Sequence, residues 1–335
     1  MNIQHARRDS GFSLVELIVA MAIMLLISGA AVTALLKMTS TQATIWNRTQ
    51  MHSGIRGATE VLQQEVGQAG RITLGSTVLL TNNSNSCATA GCTATMDVTT
   101  TAGMFVGERL VIDTNPNQET IRIVSIDSGT RLTVASVAST GKVLNNHANN
   151  SPVQVLGAFS AGVVPPLTSP SAYAPSGPAM TYANGSTGDT MKLFGDINAD
   201  GNMVYIEYKC DIPASPSTDP GNLTRNVMAW NQTTASLSAT ASQILLSNIT
   251  RNPDDSPCFT YQLNRVDTTY FVTDVAITLT VQTQLIDPVT KRFQKETKAL
   301  LNVSPRNVFN AWQLASLGIM ERVQPTPPTI TALLQ

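Results

Sequence analysis

Few residue patterns in this chain could carry chemistry. The most regular is Asp196-Ile-Asn198-Ala-Asp200-Gly201-Asn202, followed in the next strand-like run by Glu207. Oxygen-bearing side chains at alternate positions, a glycine at the turn and a closing glutamate fit the loop pattern of Ca2+ sites. The flanks do not fit. Met191-Lys-Leu-Phe194 before it and Met203-Val-Tyr-Ile-Glu-Tyr-Lys-Cys210 after it alternate as strands, where a helix–loop–helix site needs helices. The competing reading is a β-hairpin turn whose Asp and Asn side chains bond the backbone. Both readings stand on the sequence, and Ca2+ is the one cofactor it suggests.

The patterns needed for enzymatic work are missing. The chain has 3 histidines: His5 near its start, His52 in a helical stretch, and His147 in Asn145-Asn-His-Ala-Asn-Asn150, a lone loop histidine expected to be solvated. No nucleophile elbow, HExxH helix, glycine-rich phosphate loop or zinc-spaced cysteine cluster occurs. Lys and Arg number 21 against 22 Asp and Glu, so there is no basic footprint for nucleic acid. We expect no catalytic residues and no enzyme.

One carboxylate is out of place. From Phe12 to Leu36 the chain is apolar apart from Ser13, Glu16, Ser28 and Thr33. That exceeds the roughly 20 residues a helix needs to cross a bilayer. A carboxylate inside such a run costs about 3 kcal/mol on insertion scales and calls for a partner. Ser28-Gly-Ala-Ala31 is a weak match to a signal-peptide cleavage site, and Glu16 at the start of the apolar core argues against that reading. Arg7 and Arg8 precede the run and belong on the cytoplasmic side, which puts the bulk of the chain across the membrane.

Gly11-Phe12-Ser-Leu-Val-Glu16 with its apolar run resembles the type IV prepilin signature. The resemblance implies cleavage after Gly11 by a prepilin peptidase and N-methylation of the new first residue, Phe12. It also implies that Glu16 pairs with the N-terminal amine of a neighbouring subunit in a filament, which would supply the missing partner. Type IV pilins often carry a helix-breaking proline some way into the mature chain; Thr33 stands there here. Further on, Leu223-Thr-Arg225, Phe259-Thr-Tyr261 and a strand ending in Val303-Ser-Pro-Arg-Asn307 are similar to PilW-type minor pilins and the related J-type pseudopilins of type II secretion.

The positioning elements follow in order. Met51, Ile55, Ala58, Leu62, Val66 and Ala69 recur at helical spacing, so one helix is expected from about Ser13 to Ala69, ending near Gly70. The expected fold is α+β and type IV pilin-like: a long N-terminal helix against an antiparallel β head, with a small all-β module inserted. The expected divisions are a leader over 1–11, the helix over 12–70 with 12–36 in membrane or filament core, and a loop over 71–97. A β module over 98–158, a Pro/Ser/Gly-rich linker over 159–190, the β head over 191–307 and a C-terminal tail over 308–335, helical from Phe309 to Arg322 and then Pro-rich and mobile, complete them. The clearest strand runs from Val275 to Leu285, and a turn at Asp287-Pro288 leads to a partner strand from Lys295 to Val303. In an oxidising compartment the 4 cysteines suggest disulfides, with Cys87–Cys92 and Cys210–Cys258 the preferred pairing and free buried thiols the competing reading.

The function this implies is a minor subunit of a type IV pilus, anchored by one helix in the inner membrane and then displayed in a periplasmic or surface filament with other pilins. One alternative is a J-type pseudopilin. Another is a pilus-displayed adhesin that binds through 98–158 and the acidic turn.

Overall fold

The structure is a computed structural model that describes residues 13–84, 92–137, 145–166, 183–212, 220–231 and 242–334. It divides into two compact units. One is Met1–His52 with Thr283–Gln294; the other is Ser53–Gln282 with Lys295–Gln335.

Helix α1 (Leu14–Gln68) has 55 residues, about 80 Å at 1.5 Å per residue. It continues through Thr33, whose hydroxyl bonds back to the carbonyls of Gly29 and Ala30 at 2.9 and 2.8 Å. A threonine keeps the backbone N–H that proline lacks, so the hydrogen-bond ladder is not interrupted there. The helix ends as its spacing predicts. Gly70 adopts φ +81°, and a Cβ built on the facing Gly162 would lie 2.3 Å from the Gly70 Cα. Only two glycines let the chain leave the helix through this crossing.

The first sheet comprises β1 (Val78–Leu79), β2 (Thr93–Asp97), β3 (Arg109–Ile112), β4 (Glu119–Ser128), β5 (Arg131–Ser136) and β6 (Pro152–Val155), in the order β1-β6-β3-β4-β5-β2. Alternate residues such as Leu110, Ile112, Ile121, Ile123, Leu132 and Val134 fill its core. The β module is therefore larger than expected: β1 and β2 come from the stretch read as a loop over 71–97. Polar runs flank both strands and mask their alternation. β7 (Ala158–Phe159) then leaves this sheet and pairs in parallel with a strand near the C-terminus.

The second sheet holds β8 (Thr190–Gly195), β9 (Val204–Asp211), β10 (Gly221–Ala229), β11 (Gln243–Thr250), β12 (Phe259–Val266), β13 (Thr269–Gln282) and β14 (Lys295–Val303). Its order is β12-β13-β11-β10-β9-β8, with β14 on the other edge of β13. The 14-residue β13 is long enough to pair with β12 along its first part and with β11 near its end. Its pairing with β14 is the expected hairpin. The two ends of the sheet meet where the Phe259 N–H donates to the Gly188 carbonyl at 2.8 Å.

The C-terminal stretch begins with the expected helix and departs from expectation at its Pro-rich end. α2 (Arg306–Ser316) buries Val308, Ala311 and Ala315 against Phe271. β15 (Val323–Gln324) is the partner of β7, and α3 (Pro328–Leu334) puts Ile330, Leu333 and Leu334 into a core with Phe105, Phe159 and Phe194. The Pro-rich end expected to be mobile is thus a folded part of this unit. Pro328 does not end the order there; it stands at the first helical position, where its fixed φ and missing N–H cost nothing.

Candidate functional site

The N-terminal half of α1 presents its apolar side chains outward. Leu25, Leu26 and Ile27 are 72%, 75% and 65% exposed. This stretch is long and apolar enough to cross a membrane. Exposed apolar area of this kind is stable only when lipid or another protein covers it.

Glu16 lies in the first turn of that helix. Its Oε2 accepts the Ser13 N–H at 3.0 Å, and the Ser13 hydroxyl accepts the Glu16 N–H at 3.3 Å. The two residues form a reciprocal capping box, satisfying donors that a helix start otherwise leaves unpaired. A carboxylate in the first turn also faces the positive end of the helix dipole. So Glu16 has a local role within its own chain. Gly11 and Phe12 lie outside the described residues.

Residues 6–32 match the prokaryotic N-terminal methylation motif. The motif is typical of type IV prepilins. Neither the curated proteins nor the solved structures give a match to this chain. With this motif, the exposed apolar helix fits a membrane anchor.

The C-terminal half of α1 is built differently. Ile55, Ala58, Leu62, Val66 and Ala69 are buried, as the helical spacing predicts. Among them sits Glu65, which the sequence did not single out. Arg225 of β10 grips it, with Nη2 2.5 Å from Oε1 and Nε 3.1 and 3.2 Å from the two oxygens. The Tyr208 hydroxyl of β9 donates to its Oε2. Burial pushes the Tyr208 phenol upward, and the Glu65 charge beside it pushes the same way. A signal for Glu65 existed: it falls on the helix face that carries Leu62 and Val66. Its partners lie far along the chain, where sequence spacing says nothing.

The acidic turn joins β8 to β9. Asp196 is fully buried and its carboxylate is already engaged. Oδ2 accepts the Thr73 hydroxyl and lies 3.7 Å from Arg71 Nε, while Oδ1 accepts the Asp200 N–H at 3.0 Å. Asp200 in turn caps the Asn202 N–H at 2.9 Å. Ala199 and Gly201 take positive φ, as a tight turn requires. Glu207 stands across from Lys192 in the β8–β9 register and pairs with its ammonium at 3.4 Å. Asn198 is exposed. The structure thus brings Asp196, Asp200 and Asn202 together as a hydrogen-bonded turn and directs Glu207 to a lysine. Among the described residues no group of three or more His, Cys, Asp or Glu side chains is placed to hold a metal.

Cys210 and Cys258 form a disulfide with Cα atoms 6.5 Å apart, joining β9 to the start of β12. Cys92 is also disulfide-bonded; Cys87 lies outside the described residues.

The first sheet holds two buried ionisable groups. His147, expected to be solvated, has a fully buried ring; Nδ1 lies 3.3 Å from Asp113 and Nε2 3.0 Å from Glu119. Burial works against its charge, but the bonds to Glu119 and Asp113 outweigh it and raise its pKa. Glu108 has no solvent exposure, and burial pushes its carboxyl up to about 8 although the Phe105 N–H donates to it. The Ser151 hydroxyl donates to the same Asp113 oxygen at 3.1 Å, and we assign these groups to the stability of the sheet.

Proposed function

We propose that this chain is a PilW-type minor subunit of a type IV pilus, a structural protein and not an enzyme. It is inserted by the N-terminal half of α1, cut after Gly11, methylated at Phe12 and polymerised through the same apolar face. The observation that carries this reading is one helix with two surfaces. Its first half is apolar and uncovered, and bears a lone capping carboxylate. Its second half buries one face within its own unit. Transfer from lipid to a bundle of like helices keeps the first half away from water at every step. Size and the inserted sheet favour a minor subunit, since they would crowd a uniform helical lattice. The acidic turn is, in this reading, a structural corner.

Two experiments test it. Mass spectrometry of the native mature protein is expected to find an N-methylated Phe12 as first residue; an intact Met1 or a start beyond Glu16 refutes the reading. Glu16→Gln keeps an acceptor for the Ser13 N–H but carries no charge. It is expected to insert in the membrane and fail to enter pili. Normal incorporation would remove the pairing role from Glu16.

A further inference from the structure

The loop between β13 and β14 belongs with the N-terminal part of α1 in one compact unit. Asp287 organises it. Its Oδ1 accepts the N–H groups of Val289 and Thr290 at 2.7 and 3.3 Å and the Thr44 hydroxyl of α1 at 2.9 Å. Its Oδ2 accepts the Gln294 amide, and the Asp287 carbonyl accepts the Lys291 N–H at 2.8 Å. Gln294 also accepts from Arg48 Nε, one helical turn beyond Thr44. A loop tied at so many points should bury its apolar side chains. Instead Leu285, Ile286 and Val289 are 62%, 53% and 62% exposed, and Phe293 is 44% exposed.

The loop has a direction along α1. Its base at Gln294 meets Arg48 and its middle at Asp287 meets Thr44, so the tip beyond Asp287 lies towards the apolar half of the helix. Ser40, another turn in that direction, is half-buried. Ser40 stands about 6 Å along the axis from Leu36, the last residue of the apolar run. The headgroup layer on each side of a bilayer is roughly 5–8 Å deep. The tip is therefore at the level where headgroups surround the helix. Its charge suits that place: Lys291 and Arg292 are exposed, and the loop's single acid, Asp287, is buried among donors.

We propose that this tip is a second membrane contact of the unassembled subunit, in which Leu285, Ile286 and Val289 enter the interfacial layer and Lys291 and Arg292 meet anionic lipid headgroups. The inference rests on the membrane-anchor reading of α1 and adds to it an orientation. This N-terminal unit, held at two points, cannot spin freely about its helix axis. Interfacial segments bind by this combination of apolar insertion and cationic attraction.

The test uses the full chain with Val289→Trp, reconstituted in phosphatidylcholine vesicles containing about 30% phosphatidylglycerol, with or without brominated acyl chains. The extra emission, relative to the parent chain, is expected to be blue-shifted and at least halved by bromine. Adding Lys291→Glu and Arg292→Glu is expected to reverse most of that quenching. A chain that floats with the vesicles while its extra tryptophan emits as in water overturns the inference and leaves the anchor intact. A chain that fails to float overturns the anchor and the inference with it. Quenching unaffected by the charge reversals overturns the role given to anionic lipid. Protection of the tip that arises only in assembled filaments would assign it to a neighbouring subunit and overturn the membrane contact.

Discussion

Replacing Glu65 by alanine should loosen the C-terminal half of α1 from the second sheet. The magnitude follows from what the change strands. Glu65 and Arg225 have side chains only 12% and 16% exposed. Removing one partner of a fully buried pair costs about 3–5 kcal/mol, because the other charge stays buried alone. Slight exposure lets water reach the Arg225 guanidinium, which lowers this share to about 2–4 kcal/mol. The Tyr208 hydroxyl, in a fully buried side chain, loses its acceptor; that adds about 1 kcal/mol. The sum is roughly 3–5 kcal/mol, a large part of what holds a typical domain together. Hydrogen exchange of the full chain in detergent reads it directly, since amides of 53–68 open locally when the joint fails. Glu65→Gln, which keeps one acceptor, should cost less than half as much. Glu65→Leu combined with Arg225→Met should recover most of the loss, because an apolar pair of similar volume carries no desolvation cost. Unchanged exchange over 53–68 in Glu65→Ala would refute the assignment of this ion pair as the joint.

The remaining predictions concern the two sheets. Folded Glu108 and His147 both hold their protons more tightly than the unfolded chain does, so their contributions are full at low pH and fade as pH rises. Glu108 loses its share between 4.5 and about 8, on the order of 4–5 kcal/mol at about 1.4 kcal/mol per unit; His147 loses its share above 6.5. The melting temperature should therefore fall from about pH 5 to about pH 8.5, and Glu108→Gln should remove most of that slope; an equally steep slope in the variant contradicts the assignment. Opening the Cys210–Cys258 bridge, which closes 48 residues, should cost about 4 kcal/mol on the chain-entropy account. Cys258→Ser measured by denaturant titration checks it, and a loss under about 1 kcal/mol would be too small for that account. Millimolar Ca2+ should leave the melting temperature unchanged, because Asp196 and Glu207 already serve protein donors. A Ca2+-dependent rise that Asp200→Ala abolishes would show the turn to be a metal site.

Legibility in the sequence tracked the distance over which each feature is decided. The helix was readable because its buried residues Ile55, Ala58, Leu62, Val66 and Ala69 repeat at the local period and Gly70 marks the exit. β13 and β14 were readable because alternation persists over many residues and a turn joins them. The prepilin-type N-terminus was readable because its whole pattern lies within one short stretch. What was missed depends on partners far apart. Arg225 reaches Glu65 across more than half the second unit, and His147 becomes buried only when Asp113 and Glu119 are brought beside it from other parts of the first sheet. The C-terminal stretch looked like a tail because proline usually signals irregular chain; its Ile330, Leu333 and Leu334 acquire meaning only beside Phe159 and Phe194.

The two halves of α1 solve opposite problems with the same backbone. In the proposed reading the apolar stretch over 13–36 changes surroundings, and its side-chain hydrogen bonds among the described residues include turns back onto the helix itself, at Glu16 with Ser13 and at Thr33 with Gly29 and Ala30. Internal satisfaction of that kind is what a helix needs to move between lipid and protein without exposing an unpaired group. The C-terminal half must not shift, and there the chain uses directional contacts: a forked Arg225 on Glu65 and a glycine-on-glycine crossing at Gly70 and Gly162. Apolar packing alone would hold that half but tolerate sliding by a turn, since the buried face repeats along the axis. A bidentate ion pair has one register, so the Glu65 joint fixes where along the helix its own unit sits.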